Sequence, residues 1–418
     1  MNQNCIQNRP VVPKRLDRLH IPGLPWADSP ETVGLGSDRL ARLSARLQRG
    51  VDTGEIPGAV ALVARRGKLA YLESFGLLDP EAGTAMRPDA IFRIASMSKP
   101  ITSLAIMMLA EQGRLSIIEP VEQYLPELAA LRVGLERAPL ARPITLQDLL
   151  RHTSGIPYGF AGTEHPVKKM YLDAGLFSGK FTNAQFITRL AQLPLVAQPG
   201  ETWEYGMSTD VLGRVVEVVS GQTLAAFVRE HITGPLGMAD TGFHAPDSEI
   251  ARAARPQPEG PQKQMPPIPP VTRAMMFESG GGGMVSTMAD YARLCLFWCN
   301  GGTLDGVRLV SRKTVELMTT NHLPASVRMG PDMAYFGAQL PSPEVGQGFG
   351  LGFAVRTAPG LNPLPGSVGD FSWSGIYGTF FWVDPKEDLF AILMMQSMAQ
   401  RIPYRWVMRE GVYQSVVD

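Results

Sequence analysis

The chain has 418 residues, 44% hydrophobic and 19% charged, with 39 basic side chains against 39 acidic ones. That is enough apolar material for a well-buried globular protein of two lobes. A net charge of zero gives nucleic acid or an anionic membrane surface nothing to bind, and no apolar run approaches the ~18 residues of a membrane span.

Met1 to Pro30 is polar and proline-bearing, without the apolar stretch of a signal peptide, and reads as an irregular arm of a cytoplasmic protein. Leu40, Leu43 and Leu47 recur at helical spacing and predict a helix from Asp38 to about Val51. Gly58–Ala64 and Leu69–Leu72 read as a β-hairpin turning at Gly67. A largely apolar helix follows Ser96 and runs to Gln112, where Gly113 stops it. From there to His244 the signals are helical. Thr145 caps Leu146–His152, Thr182 caps Asn183–Leu193, and further helices cover Asp210–Val219 and Thr223–Ile232. Residues 245–275 form a long proline-rich loop. A helix from Thr287 to Asn300 follows, then strands at Gly350–Val355, Thr379–Val383 and Leu389–Met395, and a helix from Pro403 to Val416.

This order predicts an α/β (α+β) fold, an antiparallel sheet flanked by helices and built from both chain ends, with an inserted all-helical lobe. The expected divisions are an arm at 1–32, an α/β domain at 33–95 and 272–418, and a mainly helical domain at 96–271.

The most informative stretch is Ser96-Met97-Ser98-Lys99. Such a pair is expected about once by chance in a chain of this length, usually as a helix cap with a solvated lysine. Here it opens an apolar helix, a poor place for a solvated lysine. With Ser96 as the cap, Lys99 lies one turn on, on the same face. A serine hydroxyl needs a base within hydrogen-bond reach, and a desolvated lysine helps supply one. Tyr205, in Trp203-Glu204-Tyr205-Gly206-Met207, is a candidate third group, a base if a nearby ammonium lowers its pKa.

Other chemistries find less support. No serine has glycine at both flanking positions two residues away, which disfavours a nucleophile elbow. His152 ends a predicted helix, where an imidazole suits the dipole, so its role reads as structural. Cys5, Cys295 and Cys299 have no histidine at zinc-ligand spacing, and no metal or organic cofactor is expected. Gly280–Gly283 lacks a phosphate-binding pattern and reads as a crowded turn beneath the active site.

Together these segments resemble the serine β-lactamase and penicillin-binding-protein superfamily, and within it the family VIII carboxylesterases. The likeness runs from about Val33 to the C-terminus. It is carried in order by Phe92–Lys99, Gly113–Ser116 with Tyr124–Pro126, Ile144–Gly155, Pro199–Glu201 leading to Tyr205, and Gly281–Thr287. It implies a β-lactamase/transpeptidase-like fold with Ser96 as nucleophile, Lys99 as its partner and Tyr205 as general base and then acid. The Ser96 N–H and the Ile376 N–H, on the edge strand carrying the third motif, would form the oxyanion hole.

Two departures bear on substrate. Met207 stands where an asparagine is usual, and Trp373-Ser374-Gly375 replaces Lys-Thr-Gly. Losing that lysine removes a cation for a carboxylate, while tryptophan offers an apolar wall. Both point to a serine hydrolase acting on neutral, short-chain carboxylic esters, with weak side activity on β-lactams. Tyr158, Phe160 and the 245–275 loop would wall the acyl pocket. A class C-like β-lactamase or D-amino-acid peptidase, a non-catalytic sensor, and an acyltransferase using another alcohol are the alternatives.

Overall fold

The computed structural model describes residues 19–160, 164–256, 269–331 and 340–418, with Met333 and Phe336. Cys5, most of the expected arm and the middle of the proline-rich loop lie outside the described residues.

Eight strands form one antiparallel sheet. From one edge it runs Gln347–Phe349, Ala354–Arg356, Phe371–Ser374, Phe380–Asp384, Leu389–Met395, Gly58–Arg65, Lys68–Asp79 and Thr84–Ala85. The chain ends meet at its centre, where Ala59 pairs with Met395 and Arg65 with Leu389. Alternation explains why these central strands are apolar throughout. Phe390, Ile392 and Met394 enter one core with Val60 and Leu62, while Ala391, Leu393 and Met395 enter a second with Ala61 and Val63.

The second core is closed by the helices Ser37–Asp52 and Arg401–Gln414 through Leu43, Leu47, Tyr404 and Met408. The first core is closed by Lys99–Glu111 and Met288–Cys299. It continues into the helices between Leu146 and Val228, which contribute no strand to the large sheet. Threonine caps begin several helices as expected: Thr145 and Thr182 form capping boxes with Asp148 and Gln185. Among the described residues no single helix is long and apolar enough to cross a membrane.

Three element readings need correction. The stretch 350–355 is two strands, Gln347–Phe349 and Ala354–Arg356, joined by a turn at Gly350–Phe353. The helix after Thr145 stops at Leu150, and His152 takes φ +59°, outside helical space. The third-motif strand, Phe371–Ser374, is internal rather than an edge, although its neighbour Ala354–Arg356 pairs only with Phe371 and Ser372. Trp373 and Ser374 thus extend past that neighbour toward the cavity.

Candidate active site

The strand Ile91–Arg93 pairs with Val285–Thr287 and delivers the chain to Ser96 beside the glycine run. Ala95 bends it with φ +46°, a left-handed conformation costly for a residue with a Cβ. Ser96 is not a helix cap, contrary to expectation. It lies in a 3-10 turn, Ala95–Ser98, and the α-helix starts at Lys99 with no side-chain cap. Ser98 locks this turn, donating to the Ala95 carbonyl at 2.7 Å and accepting from the Met284 N–H at 3.1 Å. The Ser96 hydroxyl is left to face Lys99 and the cavity.

Lys99 is fully buried. Its Nζ lies 3.1 Å from Ser96 Oγ, 2.9 Å from the Tyr158 hydroxyl and 2.7 Å from the Gly281 carbonyl. It sits 4.6 Å from the Tyr205 ring centre. The glycine run therefore passes directly beneath the site, and the approach is close: a Cβ on Gly281 would lie 2.5 Å from Asp210 Oδ2.

Tyr205 is held from two sides. The Glu204 N–H donates to the His152 carbonyl at 2.9 Å, and the Gly206 N–H donates to His152 Nδ1 at 3.4 Å. The Tyr205 hydroxyl interacts with Ser96 and accepts from Trp373 Nε1 at 3.2 Å. Burial pushes the phenol pKa up, against the opposing hydrogen bonds of Ser96 and Trp373. This reverses the expected lowering: Tyr205 holds its proton at neutral pH. Burial and the Lys99 charge push the His152 pKa well below its usual value, so His152 is a neutral support for Tyr205, its ring centre 4.7 Å away. Burial raises Asp210, while the Lys99 charge, the Ser279 hydroxyl and the Gly281 N–H pull the other way.

A cavity of about 660 Å³ opens onto Ser96, Tyr205, Ser374 and Ile376. Tyr158 and Phe160 line it, stacked at 4.8 Å, and so do Pro269 and Pro270 from the proline-rich segment. Trp373 does not line it, which corrects the expectation of an apolar wall. The indole is buried among Tyr205, Phe336 and Phe349 and acts on Tyr205. Gly375 sits where a Cβ would lie 2.4 Å from the Ile94 carbonyl, so the turn carrying Ile376 packs against the strand that leads to Ser96. Met207 is fully buried in the core and does not line the cavity.

Two members of this site were not foreseen in these roles. Tyr158 walls the cavity as expected and also accepts from Lys99. Asp210 read only as a helix start. The single sequence sign was position: Tyr158 follows the helix that Thr145 caps, and Asp210 lies five residues beyond Tyr205. Among the described residues no group of three or more His, Cys, Asp or Glu side chains comes together as a metal site.

With this geometry in view, the likeness to known proteins is informative. Residues 43–407 match the family described as beta-lactamase. Protein Rv1367c of Mycobacterium tuberculosis is 36% identical over 84% of this chain and 88% of its own. Esterase EstB of Burkholderia gladioli is 32% identical over 89% and 95%. The solved structure of EstCE1, a hydrolase with promiscuous acyltransferase activity, superposes with a TM-score of 0.75 at 27% identity, covering 90% of this chain and 98% of its own. The chain belongs to the β-lactamase family and, within it, to the family VIII esterase branch that its motifs resemble.

Proposed function

We propose that this protein is a carboxylesterase that cleaves esters through an acyl-enzyme on Ser96. The carrying observation is the convergence of Lys99 Nζ and the Tyr205 hydroxyl on Ser96 Oγ at the wall of a largely apolar cavity. The kinship with esterase EstB and the hydrolase EstCE1 supports the same reaction class.

The proton path follows from the hydrogen bonds. Lys99 Nζ donates to Ser96 Oγ, the Tyr158 hydroxyl and the Gly281 carbonyl; in the reacting form it is the neutral amine, and the bond to Ser96 then runs from the serine hydroxyl to the lysine. Ser96 Oγ attacks the ester carbon as its proton passes to Lys99 Nζ. The ammonium that forms is met by the Tyr158 hydroxyl, the Tyr205 ring face and the charge of Asp210. The carbonyl oxygen becomes an oxyanion against the backbone N–H groups of Ser96 and Ile376. Tyr205, which keeps its proton at neutral pH, protonates the departing alkoxide. Water then enters, and the same groups reverse the transfer to release the acid. Small-molecule esters with room for both acyl and alcohol parts fit a cavity of about 660 Å³.

Burial of Met207 and Trp373 away from the cavity argues against the β-lactamase and peptidase readings. At these two positions the amide and the ammonium those readings use are replaced by Met207 and Trp373, neither of which lines the cavity. The test pairs p-nitrophenyl butyrate with a chromogenic cephalosporin on the purified protein and on Ser96→Ala. Fast ester cleavage that Ser96→Ala abolishes, with slow lactam cleavage, is expected. Near wild-type ester hydrolysis by Ser96→Ala would end the nucleophile assignment.

A further inference from the structure

Among the described residues, three tyrosines border the cavity: Tyr158, Tyr205 and Tyr377. The first two are committed. The Tyr158 hydroxyl accepts from Lys99 Nζ at 2.9 Å, and the Tyr205 hydroxyl meets Ser96 and Trp373. The Tyr377 hydroxyl has no hydrogen-bond partner among the described residues. The residue is half-buried, and its hydroxyl is not one of the sealed interior polar atoms that lack a partner. It is a polar group of the cavity wall that the reaction derived above does not use.

The backbone holds this phenol in place. The Gly378 N–H donates to the Gly375 carbonyl at 3.1 Å, closing a tight turn in which Gly378 takes φ +109°. The Tyr377 carbonyl accepts from the Ser397 N–H at 2.7 Å. A Cβ on Gly378 would lie 2.7 Å from Met395 Cγ, so the turn is seated on the end of the strand Leu389–Met395. The residue before Tyr377 is Ile376, whose N–H is assigned to the oxyanion. The phenol is therefore fixed next to the place where the ester carbonyl reacts.

Arg93 sets the direction in which the hydroxyl acts. It borders the same cavity, and its charge acts on Tyr377. Burial pulls the Arg93 pKa down to about 10, so it is a cation at neutral pH. The carbonyls of Phe243, Pro269, Pro270 and Gly283 take up its N–H groups. A nearby cation attracts the phenol oxygen and turns the O–H away from itself. Tyr377 is thus a donor, and what it lacks is an acceptor. An all-carbon ester displaces the water that bonds this donor and leaves it unpaired, whereas an ester with a second oxygen replaces that water.

We propose that Tyr377 is a specificity residue whose hydroxyl donates to an ether, keto or hydroxyl oxygen that the substrate carries beside the scissile ester. This rests on the esterase reading above and names the class of ester within it.

The test compares esters that differ by one CH2 exchanged for oxygen. p-Nitrophenyl 3-methoxypropanoate against p-nitrophenyl pentanoate places the oxygen on the acyl side. 2-Methoxyethyl butyrate against butyl butyrate places it on the alcohol side. The quantity read is the ratio of kcat/KM, oxygen-bearing over all-carbon, in the wild type and in Tyr377→Phe. Dividing one ratio by the other cancels the intrinsic reactivity of the esters. Tyr377→Phe, which keeps the ring, is expected to lower the ratio about fivefold or more in one pair. A ratio that Tyr377→Phe leaves unmoved in both pairs overturns the proposal while the esterase reading stands. So does a selective loss that follows Ser374→Ala, on the same wall, and not Tyr377→Phe. Failure to cleave any of the four esters removes the esterase reading, and this proposal with it.

Discussion

Two lysines of this protein are almost equally buried and have opposite surroundings. Lys168, in the helix Pro166–Asp173, is 1% exposed and lies 2.8 Å from the Glu204 carboxylate. Lys99 is 0% exposed and bonds two hydroxyls and a carbonyl. The Lys168–Glu204 ion pair lies in the interior, where each charge needs the other as its partner. Lys99 instead meets the Ser96 and Tyr158 hydroxyls and the Gly281 carbonyl, all three at the cavity. Burial alone therefore does not distinguish the two lysines; what they touch does. The first lysine pins a pocket-bearing helix to the residue preceding Tyr205, and the second touches Ser96 at the cavity.

The contrast can be broken experimentally. Lys99→Ala should lower the acylation rate by about three orders of magnitude with the fold intact, as expected for loss of a positioned base. Stopped-flow release of p-nitrophenol measures this, and a loss below tenfold would remove Lys99 from the proton path. Lys168→Met should instead destabilise the protein by about 3–5 kcal/mol, because it strands Glu204 without its cation. Urea unfolding reads that loss, and Lys168→Met with Glu204→Met should recover most of it. A double variant no more stable than the single one would show that the pair is not the source.

Smaller effects sharpen the same distinction. Tyr158→Phe should cost kcat about tenfold to a hundredfold with little change in KM, since it removes an acceptor from the ammonium but keeps the wall. An equal rise in KM would return Tyr158 to a purely lining role. Stability should fall as pH drops below about 6.5, by up to about 1.4 kcal/mol per pH unit. The sign follows from His152, whose folded pKa is depressed by burial, so the unfolded chain takes up the proton first. His152→Gln should flatten that slope in urea midpoints measured between pH 5 and 7, and an unchanged slope would assign it to another group.

Much of the fold was legible because its signals are local. The apolar run Leu389–Met395 is the observed strand to the residue, and the helix predicted at 38–51 is Ser37–Asp52. Threonine caps were readable because a hydroxyl bonds an amide two or three residues on. The break at Gly350–Phe353 was not, since an apolar stretch with glycines suits one strand or two until its neighbours are known. The Ser-x-x-Lys spacing already put two groups within reach of each other. The surroundings of Tyr205 did not follow from its segment, because His152 and Trp373 arrive from 53 and 168 residues away.

The sequence by itself determined the periodicities, the caps, the order of the motifs and the kinship that they carry. Those properties depend on neighbours within a few residues, or on a pattern that survives without coordinates. Only the tertiary structure decided that Trp373 bonds Tyr205 instead of walling the cavity, and that burial raises the Tyr205 pKa. It also decided that Lys99 faces hydroxyls where Lys168 faces a carboxylate, and that cations from four separate stretches of the chain line one cavity. Hydrogen-bond direction and dielectric environment are set by which distant segments close around a group, and no local pattern encodes that closure.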